Sequence, residues 1–488
     1  MSLSAALNTA QSSVRAVASQ TAVVSRNITG AGDPGYTRKI AAVLTAADGS
    51  VRGVAVSRAS DQALQDRLLR ATSTSAGAQV LADGLEAIRA GLGTDYARSP
   101  AAGLASLRDA LQLYAASPND ELAAQDVLTA AGTLVQSLHE GTEAVQSVRA
   151  EADEAIAASV DHVTATLAKF QDVNTAIVRG TAAGTDVTAL LDTRDQLLGD
   201  LSSEIGITVQ VRANNDMAIY TDSGVPLFDK VARSVTFEPA QAFAAGVSGN
   251  PVFVDGVPVT GEGGMPIRSG KLTGLVELRD GATVEYQRQL DEIARGVIEA
   301  FAETPADGSA APVRPGLFTY PGDPAMPAEG GVLEGLAAAI SVNPNADPAQ
   351  GGSLLRIRDG GLSDPSNPAY VSNPEGDAGF SDRIEALFEA ITAARSFETG
   401  GASGTDSDLL AFANGSIGWL ESARQTASSD ADYQAAFLDR AGEAFSNATG
   451  VNLDDELTEM LRLERSYQAS AKLLSTVDSM LASLLEVA

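Results

Sequence analysis

Both ends of the chain carry the same hydrophobic pattern. Leu3, Leu7, Ala10, Val14, Val17, Thr21, Val24 and Ile28 recur at alternating intervals of four and three. Met460, Leu463, Tyr467, Ser470, Leu474, Val477, Leu481 and Leu484 recur at intervals of three and four. This spacing lays one seam along a helix and is the a/d pattern of heptads. Chain ends are ordinarily frayed and polar. These two predict amphipathic helices whose stripes need a partner, and hence a protein that assembles through its termini.

Between the ends, the pattern changes character twice. The first helix is expected over residues 3–28 and stops at Gly30-Ala31-Gly32-Asp33-Pro34-Gly35, where glycines and a Pro-Gly turn forbid continuation. Residues 36–58 read as extended around an Asp48-Gly49 turn. Residues 60–205 are almost wholly helical in pattern. Pro118-Asn119-Asp120 opens a stretch to about 180 with no strong breaker, a predicted rod of roughly 90 Å. From 206 to 267 the apolar residues alternate, as in Ile207, Val209 and Val211. Asn214-Asn215-Asp216 and Asp255-Gly256 mark hairpin turns of a small antiparallel β domain. Helical pattern returns over 271–303, residues 304–378 are rich in Pro, Gly, Asn and Asp, and helices resume at 381–395, about 406–447 and 453–486. Asn452 or Asp454 can cap the last of these.

The expected fold class is therefore mainly α with an inserted β domain: terminal coiled-coil helices, a long-helix bundle built from both chain ends, a small antiparallel β domain and irregular loops. The expected organisation is an axial helix with its turn and extended segment (1–58), the N-terminal part of a long-helix domain (59–205), the β insertion (206–267), a returning helical segment (268–303), a loop insertion (304–378), the C-terminal part of the helical domain (379–450) and a C-terminal axial helix (451–488). Because β lies between two helical blocks, the two chain ends must meet for the helical domain to close.

Composition narrows the function. The chain has 488 residues, with 33 Lys+Arg against 63 Asp+Glu and a net charge of −30. Such a surface repels nucleic acid and anionic lipid. There is no cysteine, so disulfides, thiolate metal sites and cysteine nucleophiles are excluded. No run of 18 apolar residues exists to span a membrane, and the N-terminus has no basic start followed by an apolar block, so no general secretory signal peptide is expected. The two histidines, His139 and His162, fall 23 residues apart on the predicted rod, about 35 Å along it, too far to share a site. No HExxH, GxSxG, Walker A or GxGxxG context is present. The acidic clusters Asp359–Asp364 and Glu375–Asp382 do not follow EF-hand spacing. Trp419 and Tyr433 read as core or interface anchors. No catalytic, cofactor or metal site is expected.

The ends become specific through the turns beside them. Ser25-Arg26-Asn27-Ile28 followed by Pro34-Gly35-Tyr36-Thr37-Arg38 resembles the N-terminal signature of bacterial flagellar axial proteins. Gly450-Val451-Asn452-Leu453-Asp454-Asp455-Glu456, continuing to Tyr467-Gln468-Ala469-Ser470-Ala471-Lys472, resembles their C-terminal signature. Leu190-Leu191-Asp192-Thr193-Arg194-Asp195-Gln196-Leu197 and Ser269–Leu275 with Leu278-Arg279-Asp280 are similar to segments of the hook-associated group that forms the first hook–filament junction. Thr29, Gly30, Asp33 and Glu464 depart from the usual residues of these signatures. The resemblance implies a structural protein and no enzyme. Its copies would self-assemble between the hook protein and a second junction protein, after export from the cytoplasm without a cleaved signal. It implies an assembly interface at Leu3, Leu7, Val14, Val17, Val24, Asn27, Ile28, Pro34, Gly35, Tyr36, Arg38, Leu453, Met460, Leu463, Tyr467, Leu474, Val477, Leu481 and Leu484. It also implies an export chaperone and export apparatus, the chaperone contacting Leu474, Val477, Leu481 and Leu484. Hook or distal-rod protein is the alternative within the family, and a hydrolase using the 304–378 carboxylates the alternative outside it.

Overall fold

The computed structural model describes residues 3–46, 50–93, 95–240, 242–261, 263–328, 331–401 and 404–487, with the side chains of 3–5, 400–401 and 484–487 left out. The Asp48-Gly49 turn and the Leu3 and Leu484 side chains lie outside what is described.

The chain opens with helix α1 (Leu3–Gly30) and a two-stranded antiparallel ribbon, β1 (Lys39–Thr45) and β2 (Val51–Arg58). Four helices follow: α2 (Gln62–Gly91), α3 (Pro100–Ala116), α4 (Glu121–Ala183) and α5 (Thr188–Glu204). Helix α4 is an unbroken 63-residue rod, about 95 Å long. Asp120 caps its first turn by accepting from Leu122 N, and Gly184 ends it at φ 72°. It buries a stripe from Val127 and Leu134 through Ile156 and Val163 to Phe170 and Ile177.

The β region is two small sheets. One has the order β3 (Ile207–Val211), β4 (Met217–Thr221), β5 (Pro226–Asp229), β6 (Val231–Ala232). The other joins β7 (Val235–Thr236), β8 (Phe253–Val254) and β9 (Val257–Pro258). Asn214 and Asn215 take left-handed conformations (φ 57° and 58°) at the β3–β4 turn, as do Asp255 and Gly256 (φ 47° and 79°) between β8 and β9. These are the positions at which Asn, Asp and Gly signalled hairpins.

Helices α6 (Lys271–Val276) and α7 (Thr283–Ala300) are joined by a π-helical segment, Glu277–Ala282. The widened turn carries Arg279, which is 1% exposed and reaches Asp153 of α4 at 2.5 Å and Asp280 at 2.7 Å. At the start of α6 the backbones of α2 and α6 nearly touch. A Cβ on Gly274 would lie 2.2 Å from the Gly77 carbonyl oxygen. Gly274→Ala should therefore cost about 1–3 kcal/mol by overpacking, read as a lowered denaturation midpoint. An unchanged midpoint would mean that the crossing is loose.

Residues 301–381 form the expected irregular region, with β10 (Phe318–Thr319) paired to β11 (Ser341–Val342) and the short helices α8 (Leu336–Ala339) and α9 (Leu355–Asp359). Its Leu317, Phe318, Ile340, Ile357 and Leu362 are buried in the same core as α4, α7 and the sheets. Helix α10 (Asp382–Thr392) stops short of the expected 395. In its place the chain turns into a hairpin, β12 (Arg395–Gly401) and β13 (Gly404–Ser407), before α11 (Leu409–Thr449) and α12 (Leu453–Val487). The hairpin escapes pattern reading because one apolar side chain anchors it: Phe397 stacks on Phe412 of α11 at 3.8 Å. Asn452, by accepting from Asp454 N at 2.9 Å, is the cap of α12.

Helices from both chain halves build one bundle, with α11 lying along α2 and continuous core from Leu85 and Leu104 to Phe412 and Leu420. A second, separate core, Val17, Val24 and Leu463 with Ile28 and Met460, joins α1 to α12. The fold is mainly α with small antiparallel sheets inserted, and no helix among the described residues is long and apolar enough to cross a membrane.

Candidate functional site

The termini pair as an antiparallel hairpin of helices. Asn27 bonds Glu456, Val17 and Val24 pack with Leu463, and the hydroxyls of Ser13 and Ser470 meet at 3.1 Å. Rising numbers on α1 meet falling numbers on α12. The seam alternates apolar contact with small residues, Ala10 and Ser470 being buried. Leu7, Val14, Ile28, Met460, Leu474 and Leu481 are half-buried, and Val17, Val24, Leu463 and Val477 are buried. Two expected seam positions behave differently. Tyr467 stays 47% exposed and Leu453 47% exposed. With one partner helix, a residue on the flank of the seam is covered along one side only.

At the base of this hairpin sits a polar hub that the sequence did not assemble. Asn27, 1% exposed, is its centre. Its amide donates to the Lys39 carbonyl at 2.9 Å and to Glu456 Oε2 at 3.0 Å, while its carbonyl oxygen accepts from Lys39 N and from the Tyr36 hydroxyl, both at 2.9 Å. Glu456, also 1% exposed, takes Arg38 Nε at 2.6 Å on its other oxygen. A second carboxylate closes the far side. Asp192 of α5 receives the Lys39 ammonium, Thr37 Oγ1 at 2.6 Å and Arg58 at 3.3 Å, and Asp195 holds Arg58 at 2.6 Å. Arg38 N also bonds the Thr449 carbonyl at the end of α11.

The hub thus ties α1, the turn, the ribbon, α5, α11 and α12 to one another. Buried charges survive only when paired and hydrogen-bonded, and these are. Burial lowers the Lys39 ammonium pKa although Asp192 opposes it, and burial pushes the Tyr36 phenol up to about 12, with Arg26 pulling the other way. The Tyr36 shift has a sign. Between pH 10 and 12 the unfolded phenol ionises while the folded one stays neutral, so stability at the hub is present below pH 10 and lost above it. Tyr36→Phe should flatten that alkaline limb of a pH–stability curve, and an identical limb in the variant would count against it.

The turn fits by close approach. Pro34 is exposed, and a Cβ on Gly35 would lie 1.9 Å from Gln196 Nε2 of α5. A groove beside it is lined by Asp33, Gly35, Asp195, Gln196, Phe445 and Val451. Of the residues expected at the interface, Asn27, Tyr36 and Arg38 meet here. Thr37, Lys39, Arg58, Asp192, Asp195 and Glu456 were missed as site residues, although Thr37, Asp192, Asp195 and Glu456 stand inside the signature runs. Their one signal was that position inside the signature runs.

The fourth run, Ser269–Asp280, belongs to the α2–α6 crossing and the Arg279 pair, away from the hub. Elsewhere, His139 Nε2 lies 2.9 Å from the Ile340 carbonyl and His162 faces Glu204 at 3.4 Å. Asp359 pairs with Arg358 and Asp364 with Arg314. Among the described residues no group of three or more His, Cys, Asp or Glu is placed to hold a metal ion. Trp419 stacks on Tyr286 at 6.4 Å, whereas Tyr433 is 67% exposed and anchors no core.

Comparison with known proteins agrees with the signatures. A family model described as the flagellar hook-associated protein FlgK helical domain matches residues 85–316. One described as the flagellar basal body rod FlgEFG protein C-terminal matches residues 443–487. The flagellar hook-associated protein 1 of Escherichia coli (strain K12) is 26% identical over 314 residues, 61% of this chain and 56% of that protein. That of Bacillus subtilis (strain 168) is 22% identical over 403 residues, 78% of this chain and 74% of that protein. The chain is similar to the flagellar hook-associated protein 1 family. The match spans little more than half the length of the Escherichia coli relative. A solved structure, the flagellar hook junction protein FlgK from Burkholderia pseudomallei, is similar with a TM-score of 0.41 at 20% identity, covering 52% of this chain and 46% of that one. The rod-type match falls on the end of α11 and on α12, the helix that pairs with α1.

Proposed function

We propose that copies of this chain form the junction between the flagellar hook and filament, assembling through their paired terminal helices after export through the flagellar channel. The observation that carries this reading is the α1–α12 hairpin. It has its own small core, it is locked to the body by the Asn27–Glu456–Asp192 hub, and it still leaves Leu457, Leu461, Leu473 and Met480 between 51% and 61% exposed. Apolar residues on both flanks of a paired helix suit packing among several neighbours. The body, stiffened by α4, would carry load between two tubes of different mechanics.

The proposed neighbours are further copies, the hook protein and the second junction protein. In the cytoplasm an export chaperone would cover Leu474, Val477, Leu481 and Leu484. Val477 is 9% exposed under α1, so chaperone and α1 would compete for one stripe. Removing 453–488 is expected to abolish attachment of filaments while leaving the body folded. Full-length filaments on hooks built with the truncated chain would overturn the reading.

A further inference from the structure

Two apolar faces of the terminal region remain uncovered, and they fit each other. The first is on the ribbon. Side chains alternate along a strand, so Ile40, Ala42 and Leu44 of β1 share a face with Ser57, Ala55 and Gly53, their register partners on β2. Ile40 is 44% and Leu44 52% exposed, and this face holds no charge. Large side chains on β1 beside small ones on β2 leave a shallow trough. The second face is on α12, where Leu453, Leu457 and Leu461, spaced four apart, are 47%, 51% and 57% exposed. They run along the flank of the helix beside the α1 seam. Leu453 to Leu461 spans about 12 Å of helix, and Ile40 to Leu44 about 13 Å of strand.

Within one copy α1 lies between these faces. Its Ser12 and Gln20 bond the ribbon, whereas its Val17 and Val24 pack toward α12. Charge distinguishes the two sides as well. In residues 1–58, Arg26, Arg38, Lys39 and Arg58 are paired within the copy with Asp186, Glu456, Asp192 and Asp195, which leaves Arg15 on α1 and Arg52 on the ribbon without an ion pair among the described residues. Residues 453–488 are negative, with three basic residues, Arg462, Arg465 and Lys472, against seven acidic ones, among them Asp454, Asp455 and Glu464. Arg52 at the ribbon and Asp454 and Asp455 beside the stripe are opposite charges that favour the orientation apposing these unlike faces.

We propose that the ribbon of one copy covers the Leu453–Leu461 stripe of the next. The contact joins unlike surfaces, so repetition generates a ring or helical array and not a closed pair. This rests on the reading of the chain as a junction protein assembled through its ends, and it names the faces that meet.

The chain has no cysteine, which makes cross-linking selective. Full-length Leu44→Cys and Leu457→Cys would be expressed together in flagellated cells, with Ile40→Cys and Leu461→Cys as a second pair. Sheared flagella would then be oxidised and scored for disulfide-linked dimer. The control pairs Leu44→Cys with Leu473→Cys, on the other flank of α12. At least tenfold more dimer from either ribbon–stripe pair than from the control is expected. Variants present in the flagella but giving no more dimer than the control would overturn the proposed contact and leave the junction reading standing. Absence of the unmodified chain from sheared flagella would overturn both.

Discussion

Asp192→Ala should detach the ribbon and the base of α1 from the body. Asp192 is 7% exposed and is the shared partner of Lys39, which is 4% exposed, and of Thr37 and Arg58. Removing it leaves a buried ammonium with only the Thr37 hydroxyl, and an arginine with one carboxylate, Asp195, where it had two. Breaking a buried pair from one side costs about 3–5 kcal/mol, a large fraction of the roughly 5–15 kcal/mol that holds a typical protein folded. The loss should be local. Hydrogen exchange at 36–45 and 51–58 is expected to accelerate by two orders of magnitude or more, while the α4 stripe keeps its protection. The exposed pair Arg26–Asp186, with side chains 50% and 34% accessible, is the control. Arg26→Ala should cost well under about 1 kcal/mol, since the Arg26 side chain bonds only Asp186 among the described residues. Equal effects of the two substitutions would show that the hub is not what fastens the hairpin.

Leu463→Asp is expected to separate the terminal helices without unfolding the body. Leu463 is 4% exposed and is one of three buried residues in the hairpin core. An ionised carboxylate there has no cation within the seam and costs several kcal/mol. Two helices with so small a core have no reserve, because most helical stability in water comes from packing an apolar face. The body has its own core, in which neither α1 nor α12 takes part among the described residues. Its melting temperature should therefore stay within about 2 °C of the parent's, while protease cuts within 3–30 and 453–483 become fast and hook–filament attachment fails. A fall of several degrees in the body's melting temperature would show that the hairpin and the body unfold as one.

The turns, the rod and the two seams were legible because each is written in local sequence. Asp120 and Gly184 bracket α4, Asn214-Asn215 and Asp255-Gly256 set hairpins, and the heptad spacing of Val17, Val24 and Leu463 states which face is buried. The β12–β13 hairpin was not legible. It has too few apolar positions to show a period, and it depends on Phe397 finding Phe412. The hub was not legible either. Asn27, Asp192 and Glu456 lie 165 and 264 residues apart along the chain, and although each stands in a signature run, nothing local says that the three meet. A carboxylate on a helix looks the same in the sequence whether it faces solvent or a buried lysine.

By itself, then, the sequence determined the helical ends, the long rod, the hairpin turns and the absence of thiol chemistry, since all of these follow from backbone preference, periodicity and composition. The tertiary structure decided that the ends run antiparallel, that Tyr467 and Leu453 stay in solvent, and that six elements are fastened at one buried polar hub. Those outcomes depend on which distant groups share a low-dielectric space, where an unpaired charge is too costly to persist and only the chain's path can supply its partner.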